Sequence, residues 1–555
     1  MARDPLAAIS TRSTPQTRRI PGRTDQVRNA AGGYVFGKDL WRRVEDFLIL
    51  GTTGGTYYLG EDRLTEANVD VLVAALADNG TRLVALATGL STARPPRAPK
   101  NRPALFALAA AFAFGDPDTR QAAKLAVPKV ARTTDHLATF FGYLKQLGGK
   151  PTARGGTAPV VGRALRTALA SWFLDGDVDT VAWRACKARQ RRTPAGEEFS
   201  LRDVLRIAHP VPDSEQRGVL LGWIAGKVPD ERAREVLPAV DAFLTAKAVT
   251  TPADAVRVVT ERRVPWEYLP DPVLGSAEVW DALVDTIGQT ALIRNLARMT
   301  RVGALAPLGD ATRRAVARLT DADALRRGRI HPMDLFLALR VYQSGRSQPN
   351  RKAPAQTWQP VPAISDALEE AYELSFGHVR PSGRRVLVAV DSSGSMSYAG
   401  VTFGGSVLGS VYEVACAMAV ILARIEGANL HVIDVDTAVH ASRITPRTNL
   451  REIAGWRPSG GGTDLSLPFQ YARQRKLDVD GFVVLTDNET WAGRRQHPSQ
   501  ALTSYRKARQ TGARLVVASM TAAGYTIGDP KDEGVLNVAG LDASLPLVVN
   551  GYLRG

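Results

Sequence analysis

Apolar residues follow a helical spacing through most of the chain before residue 345. From residue 38 onwards they recur three and four positions apart, as in Val71, Leu72, Ala75 and Leu76, which buries one face of each predicted helix. Proline and glycine residues interrupt the pattern and separate helices of about 12–20 residues. The pattern therefore predicts helix pairs that stack as a solenoid, in which any sequence repeat is degenerate.

The pattern changes after residue 380, where short continuous runs of β-branched and aliphatic residues begin. Such runs are typical of strands that are buried on both faces of a sheet. Helical patterns at Val407–Glu426 and Ser499–Thr511 separate the runs, and strands that alternate with helices predict a doubly wound, parallel α/β sheet. The predicted strands are Arg385–Val390, Leu430–Val435, Gly481–Thr486 and Arg514–Ala518.

These patterns predict a chain of three parts. Residues 1–30 carry six arginines and three prolines against two aspartates, which is typical of a flexible basic arm or of a solvated tail without function. A helical module is predicted over residues 31–363, and its last part, 346–363, is a polar, basic and proline-containing linker. The α/β domain is predicted over residues 364–555 and begins with a helix at Ile364–Phe376.

Composition and charge narrow the class of protein. The 555 residues include 71 lysines and arginines against 55 acidic residues, and the net charge of +16 points to nucleic acid or an anionic membrane surface as partner. A hydrophobic content of 45% excludes a mostly disordered chain. Two cysteines, Cys186 and Cys416, are too few for a disulfide framework or a cysteine zinc site, which favours a cytoplasmic location. The longest apolar runs, Leu105–Phe114 and Val414–Ala423, reach about half of a membrane span, so an integral membrane protein is not expected.

A candidate metal site follows the first predicted strand. Asp391, Ser393 and Ser395 form an Asp-x-Ser-x-Ser motif at the carboxyl end of that strand, where open α/β sheets bind their ligands. Alternate residues of an extended loop point the same way, so one carboxylate and two hydroxyls can converge on one point. Oxygen ligands of this kind suit Mg²⁺. An ordinary serine-rich turn is the alternative interpretation of this motif by itself.

Two later segments supply further oxygen ligands. A glycine-rich loop, Gly460–Asp464, contains Thr463, and Asp487 follows another predicted strand. Together the three segments resemble the metal-ion-dependent adhesion site of von Willebrand factor A domains. A site with few carboxylates leaves its ion electron-poor, so the ion can accept an Asp, Glu or phosphate oxygen from a partner. By matched motif position the metal ligands are Asp391, Ser393, Ser395, Thr463 and Asp487.

Short strings in the helical part carry a second resemblance. Their order and content closely resemble the TROVE module of the Ro autoantigen family, in which that module precedes a von Willebrand factor A domain. The resemblance covers residues 26–555, and the chain looks like a bacterial member of the family. The strings are Ala31–Val35, Gly54–Tyr58, Leu105–Leu108, Gly162–Arg166, Arg202–Pro210, Ala291–Leu296 and Arg329–Pro332.

The Ro resemblance implies a fold and a set of partners. Ro proteins are rings of HEAT-like helical repeats that the von Willebrand factor A domain closes. They bind small noncoding Y RNAs on the outer basic surface, and they take single-stranded 3′ ends of misfolded or structured RNAs into the central hole. In bacterial relatives the Y RNA can tether the ring to polynucleotide phosphorylase, an exoribonuclease.

Basic residues are concentrated between positions 184 and 209 of the helical module. Lysine and arginine neutralise phosphates, and guanidinium planes stack on bases, so this stretch is a candidate RNA-binding surface. By motif, Lys187, Arg191 and His209 match positions that contact RNA in the Ro family. A solvated helix face, with His209 as a helix cap, is the alternative. The predicted RNA-binding residues are Arg184, Lys187, Arg191, Arg202, Arg206 and His209.

The leading hypothesis is a noncatalytic RNA-binding ring that acts in RNA quality control, maturation or decay. The alternative is an adhesion or assembly scaffold that captures a protein partner through Mg²⁺ at Asp391. An Mg²⁺-dependent nuclease is disfavoured because the motif offers more hydroxyls than carboxylates and no evident general base. Membrane association is not expected on either of the first two hypotheses.

Overall fold

Helices make up most of the described residues between Leu40 and Gln343, as the apolar spacing predicts. The computed structural model describes residues 13–37, 39–50, 61–93, 101–148, 162–188, 201–347, 355–397, 399–403, 406–453, 455–519, 525–539 and 545–554. The α-helices of this part, α1 to α17 in chain order, are Leu40–Leu50, Glu61–Thr92, Arg102–Phe114, Pro117–Val130, Thr134–Leu147, Arg163–Leu174, Val178–Ala188, Leu201–Ala208, Glu215–Ala225, Asp230–Val236, Pro238–Lys247, Pro252–Arg262, Ala277–Leu283, Gln289–Arg301, Asp310–Leu319, Ala322–Gly328 and Pro332–Gln343.

Helix α2 contains a segment, Asp70–Thr92, that is long and apolar enough by composition to cross a membrane. The helix is broken within this segment, because Asn79 has extended backbone angles of φ −160° and ψ 91°. Residues on its inner side, such as Leu83 and Ala87, are fully buried against α3 and α4. The segment is therefore a kinked pair of core helices in this fold.

The α/β domain is built on a six-stranded sheet. Its strand order is β11-β9-β8-β3-β6-β7, in which all neighbours are parallel except β6 and β7. A hairpin, β4–β5, and helix α19 follow β3, and α20 to α23 complete the domain. The sheet strands are β3 Val386–Asp391, β6 Leu430–Val435, β7 Val439–Ala441, β8 Gly481–Thr486, β9 Arg514–Ser519 and β11 Val535–Ala539. The other elements are β4 Ala399–Phe403, β5 Ser406–Ser410, α19 Val411–Glu426, α20 Leu450–Ile453, α21 Leu467–Gln474, α22 Pro498–Arg509 and α23 Leu545–Arg554.

The central strands are buried on both faces, as their continuous apolar runs predict. Val388 and Val390 of β3 face α19, in a core that is continuous with that of the helical module. Leu387 and Ala389 face the opposite side, where they join residues of α21 and α22 such as Tyr505. The observed architecture is thus a helical module followed by a von Willebrand factor A-like α/β domain, which confirms the predicted fold class.

The N-terminal segment is packed along the α/β domain. Strands β1 (Gln26–Arg28) and β2 (Tyr34–Gly37) form an antiparallel sheet with β10 (Tyr525–Thr526) of that domain. Arg23 also binds Asp529 through two hydrogen bonds of 2.5 and 2.8 Å. The prediction of a flexible arm is therefore wrong for residues 13–30, and residues 1–12 lie outside the described part of the chain.

A glycine allows a close approach of this segment to the α/β domain. A Cβ atom added at Gly33 would lie 1.9 Å from the carbonyl oxygen of Thr490, which is backbone and cannot move aside cheaply. At Gly89, an exposed position in α2, an added Cβ would meet nothing within 4 Å.

We expect opposite effects from alanine at these two glycines. Gly33→Ala should lower the free energy of unfolding by about 1–3 kcal/mol, because the N-terminal segment must shift away from the Thr490 backbone to make room for the added methyl group. Gly89→Ala should raise it by about 0.5–1 kcal/mol, because alanine favours the helix. Urea unfolding of both variants measures the difference, and equal effects would contradict the packing described.

The two ends of the helical module both reach the α/β domain. Helix α1 contacts β11, and α17 contacts β5 and α19. Helix α18 (Pro362–Ser375) packs on α15, α16 and α17, although the predicted domain boundary placed it in the α/β domain. The boundary therefore lies after α18. Because both ends meet one domain, the path of packed helices returns to where it started.

Candidate functional site

The Asp-x-Ser-x-Ser motif lies at the carboxyl end of the central strand. Asp391 is the last residue of β3 and is fully buried. Its carboxylate accepts hydrogen bonds from the backbone N–H of Ser393 at 3.0 Å and from the hydroxyl of Thr486 at 2.6 Å. The hydroxyl oxygens of Ser393 and Ser395 are 3.1 Å apart. The two serine hydroxyls therefore lie together, in the turn that the Asp391 carboxylate accepts a hydrogen bond from.

A second carboxylate lies at the end of the neighbouring strand. Asp487 directly follows β8, which pairs with β3 in parallel register. Burial, and then the charge of Asp487, raise the pKa of Asp391 to about 7. The sheet thus holds two carboxyl groups close together, with burial disfavouring the charged form of Asp391.

The glycine-rich loop is hydrogen-bonded to the motif. The Gly394 N–H donates to Gly461 at 3.1 Å, and the Gly460 N–H donates to Ser392 at 3.0 Å. A Cβ at Gly461 would lie 2.8 Å from the Asp436 carboxylate, so a larger residue there would have to displace that acid. Buried Thr463 accepts backbone N–H bonds from Trp491 and Ala492. The segments carrying the five predicted ligands therefore meet at one edge of the sheet.

Sequence reasoning missed a supporting acid beside this site. Asp436 follows β6 and accepts hydrogen bonds from Ser459 at 2.6 Å and His440 at 2.8 Å. Burial acts to raise the pKa of Asp436, but these bonds and the Ala438 N–H lower it to about 2. Ser459 also contacts Ser392 at 2.7 Å, so this acid fixes the loop that carries the motif. Its place at the carboxyl end of a parallel strand is the signal that identifies it.

The donor set fits a hard divalent cation. Within the described ranges no three His, Cys, Asp or Glu side chains lie close enough to hold a metal ion. The candidate site accordingly offers two carboxylates, Asp391 and Asp487, together with the hydroxyls of three residues. Oxygen donors with few acids match Mg²⁺, which keeps several waters and binds through one or two carboxylates.

The first part of the basic surface lies near the end of α7. Lys187 has its Nζ atom 3.6 Å from Oε1 of Glu267 and 4.1 Å from the ring centroid of Trp183. Trp183 is 45% exposed, which is unusual for a tryptophan, and sequence reasoning missed it although it lies one helical turn before Lys187. Arg184 lies over Trp172 at 5.8 Å. An exposed ring beside a lysine can stack on a base while the cation meets phosphate.

The second part of the basic surface is helix α8. Arg202 and Arg206 are exposed, and the Arg202 guanidinium lies against Gly226 at the end of α9. His209 caps the helix, with its N–H donating to Leu205 at 3.0 Å and a positive φ of 46°. Its side chain is exposed, so the cap does not occupy the imidazole.

Helices α7 and α8 are held by the same neighbours, because both pack against α5 and α9. Five of the six predicted RNA-binding residues are therefore carried by neighbouring elements of the module. The sixth, Arg191, lies outside the described residues.

The fold and this site define a von Willebrand factor A domain joined to a TROVE module. Residues 385–553 match the Ro60 vWA domain family, and residues 250–341 match the TROVE domain family. The RNA-binding protein RO60 of Deinococcus radiodurans is 38% identical over 554 residues, which cover 99% of each chain. The RNA-binding protein RO60 of Caenorhabditis elegans is 29% identical over 97% of this chain and 92% of its own.

A solved structure agrees with these matches. The crystal structure of the Deinococcus radiodurans RO (RSR) protein has a TM-score of 0.73 and 37% identity to this chain, and the match covers 93% of this chain and 100% of that one. The chain therefore belongs to the Ro60 family.

Proposed function

We propose that this protein is a noncatalytic RNA-binding ring of the Ro60 type. The observation that carries the proposal is the surface of α7 and α8, where exposed Trp183 lies beside Lys187 and where Arg202, Arg206 and His209 are exposed. Both family relatives are named RNA-binding proteins. A stacking ring among cations is suited to single-stranded or looped RNA rather than to a protein surface.

The finer proposal concerns the partners and the place of action. The ring takes a Y RNA-like noncoding RNA on its basic surface and the single-stranded 3′ end of misfolded or structured RNA in its centre. An exoribonuclease such as polynucleotide phosphorylase acts on the RNA that the ring presents. The protein works in the cytoplasm in this proposal, a location supported by a count of only two cysteines, both buried and neither in a disulfide.

We propose that Mg²⁺ binds at Asp391, Ser393, Ser395, Thr463 and Asp487. When bound, the ion supplies a positive charge that can accept an anionic oxygen from a partner. This favours a second candidate function, a Mg²⁺-dependent assembly scaffold. A pull-down with and without chelator, and with and without nuclease, separates the two. Partners lost with nuclease but kept with chelator support the RNA ring.

We expect the double substitution Lys187→Glu with Arg191→Glu to weaken RNA binding about tenfold or more. Each neutralised phosphate contributes a slope of about −0.7 to log affinity against log salt for single strands, so the slope should also become shallower. Fluorescence anisotropy with a structured RNA that carries a single-stranded 3′ tail measures both quantities.

The matched control reverses two exposed arginines outside the basic surface, Arg232→Glu with Arg257→Glu. It removes the same charge from helices α10 and α12, where both arginines already face acidic neighbours. A control that weakens binding as much as the test variant would show that net charge alone acts, and would overturn the site assignment.

A further inference from the structure

A cavity lies between helices α14 and α17, away from the basic surface of α7 and α8. Its volume is about 580 Å³, within the range of small-molecule sites, and the turn Gly328–Ile330 closes one side. Ile293 and Ala297 of α14 face Leu337 and Ala338 of α17 across it. The lining is therefore mainly apolar, with room for a flat group such as a nucleobase.

Two arginines border this cavity without an acidic partner. Arg294 on α14 and Arg329 after α16 both line it. Among the described residues, no atom accepts a hydrogen bond from either guanidinium, and neither forms an ion pair.

Most neighbouring arginines differ in this respect, which makes these two stand out. Arg313, Arg314 and Arg326 each pair with an aspartate. Arg298 lies 3.7 Å from Asp271, and Arg318 donates to backbone carbonyls of Val284 and Ile287. Among the described residues of this segment, Arg294, Arg329 and the exposed Arg301 have no such acceptor, and the first two of these lie at the cavity. Their unused donors point to an anionic ligand.

One acidic group also reaches the cavity. Asp334 accepts the backbone N–H of His331 at 3.1 Å, as part of the capping box of α17. Its carboxylate is an acceptor suited to an amino or imino N–H of a base. Arg329 has a positive φ of 53°, a backbone region in which glycine is favoured.

We propose that this cavity binds one unstacked nucleotide of single-stranded RNA. The base enters between the apolar faces of α14 and α17. Arg294 and Arg329 come from two different elements, so each can meet one of the phosphates that flank the nucleotide. This inference rests on the proposed RNA-binding function and adds a second contact, separate from Lys187.

Variants at the two arginines and in the apolar lining test the site. Arg294→Gln with Arg329→Gly removes both guanidinium groups, and glycine suits the positive φ at position 329. Ala338→Phe fills the cavity without changing charge, and Ala297→Leu is a milder version if the first variant does not fold. The control, Arg301→Gln with Arg313→Gln, removes the same charge from exposed positions of α14 and α15 that do not line the cavity.

The probes are a uridine hexamer and a matching hexamer that lacks all bases, titrated by fluorescence anisotropy. Measurements in the Lys187→Glu/Arg191→Glu background isolate the cavity from the basic surface. We expect the arginine variant to bind both hexamers about tenfold more weakly, since two charge-assisted contacts are lost. The filled cavity should weaken binding of the uridine hexamer only, by a similar factor. The control should change either affinity less than twofold.

The outcomes separate this inference from the function on which it rests. If wild-type protein binds tailed RNA but neither the arginine variant nor the filled cavity changes hexamer binding, the inference is wrong and the RNA function stands. If uridine monophosphate binds as tightly as the hexamer, the site serves a free nucleotide and the inference is also wrong. If wild-type protein binds no RNA at all, the proposed function fails.

Discussion

Without divalent metal, the Asp391→Asn protein should unfold several degrees above the wild type, and Mg²⁺ should no longer stabilise it. In the wild-type protein, the fully buried Asp391 carboxyl lies close to Asp487, and burial and that charge raise its pKa to about 7. Asparagine keeps the shape of the side chain and removes the charge. Its Oδ1 oxygen accepts the Ser393 N–H, whereas its Nδ2 group donates to the Thr486 hydroxyl, which reverses the direction of that hydrogen bond. A group whose pKa rises from 3.8 to about 7 on folding destabilises the neutral-pH protein by of the order of 4 kcal/mol.

The sign of the pH dependence follows from the same group. Below pH 4 Asp391 is protonated in both the folded and the unfolded chain, so it costs nothing. Between about pH 4 and pH 7 the unfolded chain has lost this proton while the folded chain keeps it, so the stability of the metal-free protein falls as pH rises. At the proposed metal site, Mg²⁺ would take the place of this proton. At a hundred times its dissociation constant it should add about 2.7 kcal/mol to the wild type.

Thermal unfolding with chelator and with Mg²⁺, at pH 5 and pH 7.5, measures these effects. Asp478→Asn is the control, since Asp478 is an acid of the same domain that pairs with Arg509 at the surface. Its unfolding temperature should respond to Mg²⁺ as the wild type does. An Asp391→Asn protein that is still stabilised by Mg²⁺ would remove Asp391 from the ligand set.

The sheet and its metal-site motif could be predicted from the sequence because both depend on residues that are close together in the chain. A strand buried on both faces needs a continuous apolar run, and β6 and β8 have the bounds that their runs predict. A residue that ends a parallel strand lies at the ligand-binding edge whatever follows it, which places Asp391 and Asp487 together. Asp436 obeys the same rule, but its neighbours Ser459 and His440 are contributed by other segments, so its role depends on tertiary contacts.

The N-terminal segment could not be read in this way. Its arginines and prolines are typical of a solvated tail, yet Gln16 is fully buried. The Gln16 amide donates to Asp464 at 2.7 Å and accepts from Thr490 at 2.6 Å, and both partners lie more than 440 positions away. Composition carries no information about partners at that separation. The same limit applies to α18, which follows a polar linker but packs on helices that precede the linker.

The clustering of lysines and arginines in the sequence indicated where the basic surface lies, but it did not show how these residues are arranged on their helices. Lys187 and Arg184 have ring neighbours, whereas Arg202 and Arg206 are exposed on another helix. The density of basic residues in the sequence also does not separate the exposed arginines from Arg217, which lies in the same region of the sequence and is buried. Only the contacts of an arginine in the structure show whether it can bind a ligand or instead stabilises the fold.

Arg217→Met should lower the free energy of unfolding of the helical module by about 1–3 kcal/mol. The guanidinium is 5% exposed and donates to the carbonyls of Phe173 and Gly176, at 2.9 and 2.8 Å, and to Asp213 at 2.7 Å. The Phe173 carbonyl belongs to the last turn of α6, so it has no hydrogen-bond donor within its own helix. Methionine fills the volume but leaves the buried Phe173 carbonyl without a donor, whereas Asp213 and Gly176 are exposed and can bind water instead.

Because Arg217 ties the turn between α6 and α7 to α9, its loss should loosen the element that carries Arg184 and Lys187. Arg217→Lys should recover less than half of the lost stability, since an ammonium group cannot reproduce the planar fork. Arg232→Met is the control, because Arg232 is half-exposed on α10 and forms only surface ion pairs, worth less than about 1 kcal/mol. Urea unfolding compares the three variants. If Arg217→Met and Arg232→Met lose the same stability, the buried guanidinium does not hold the module together.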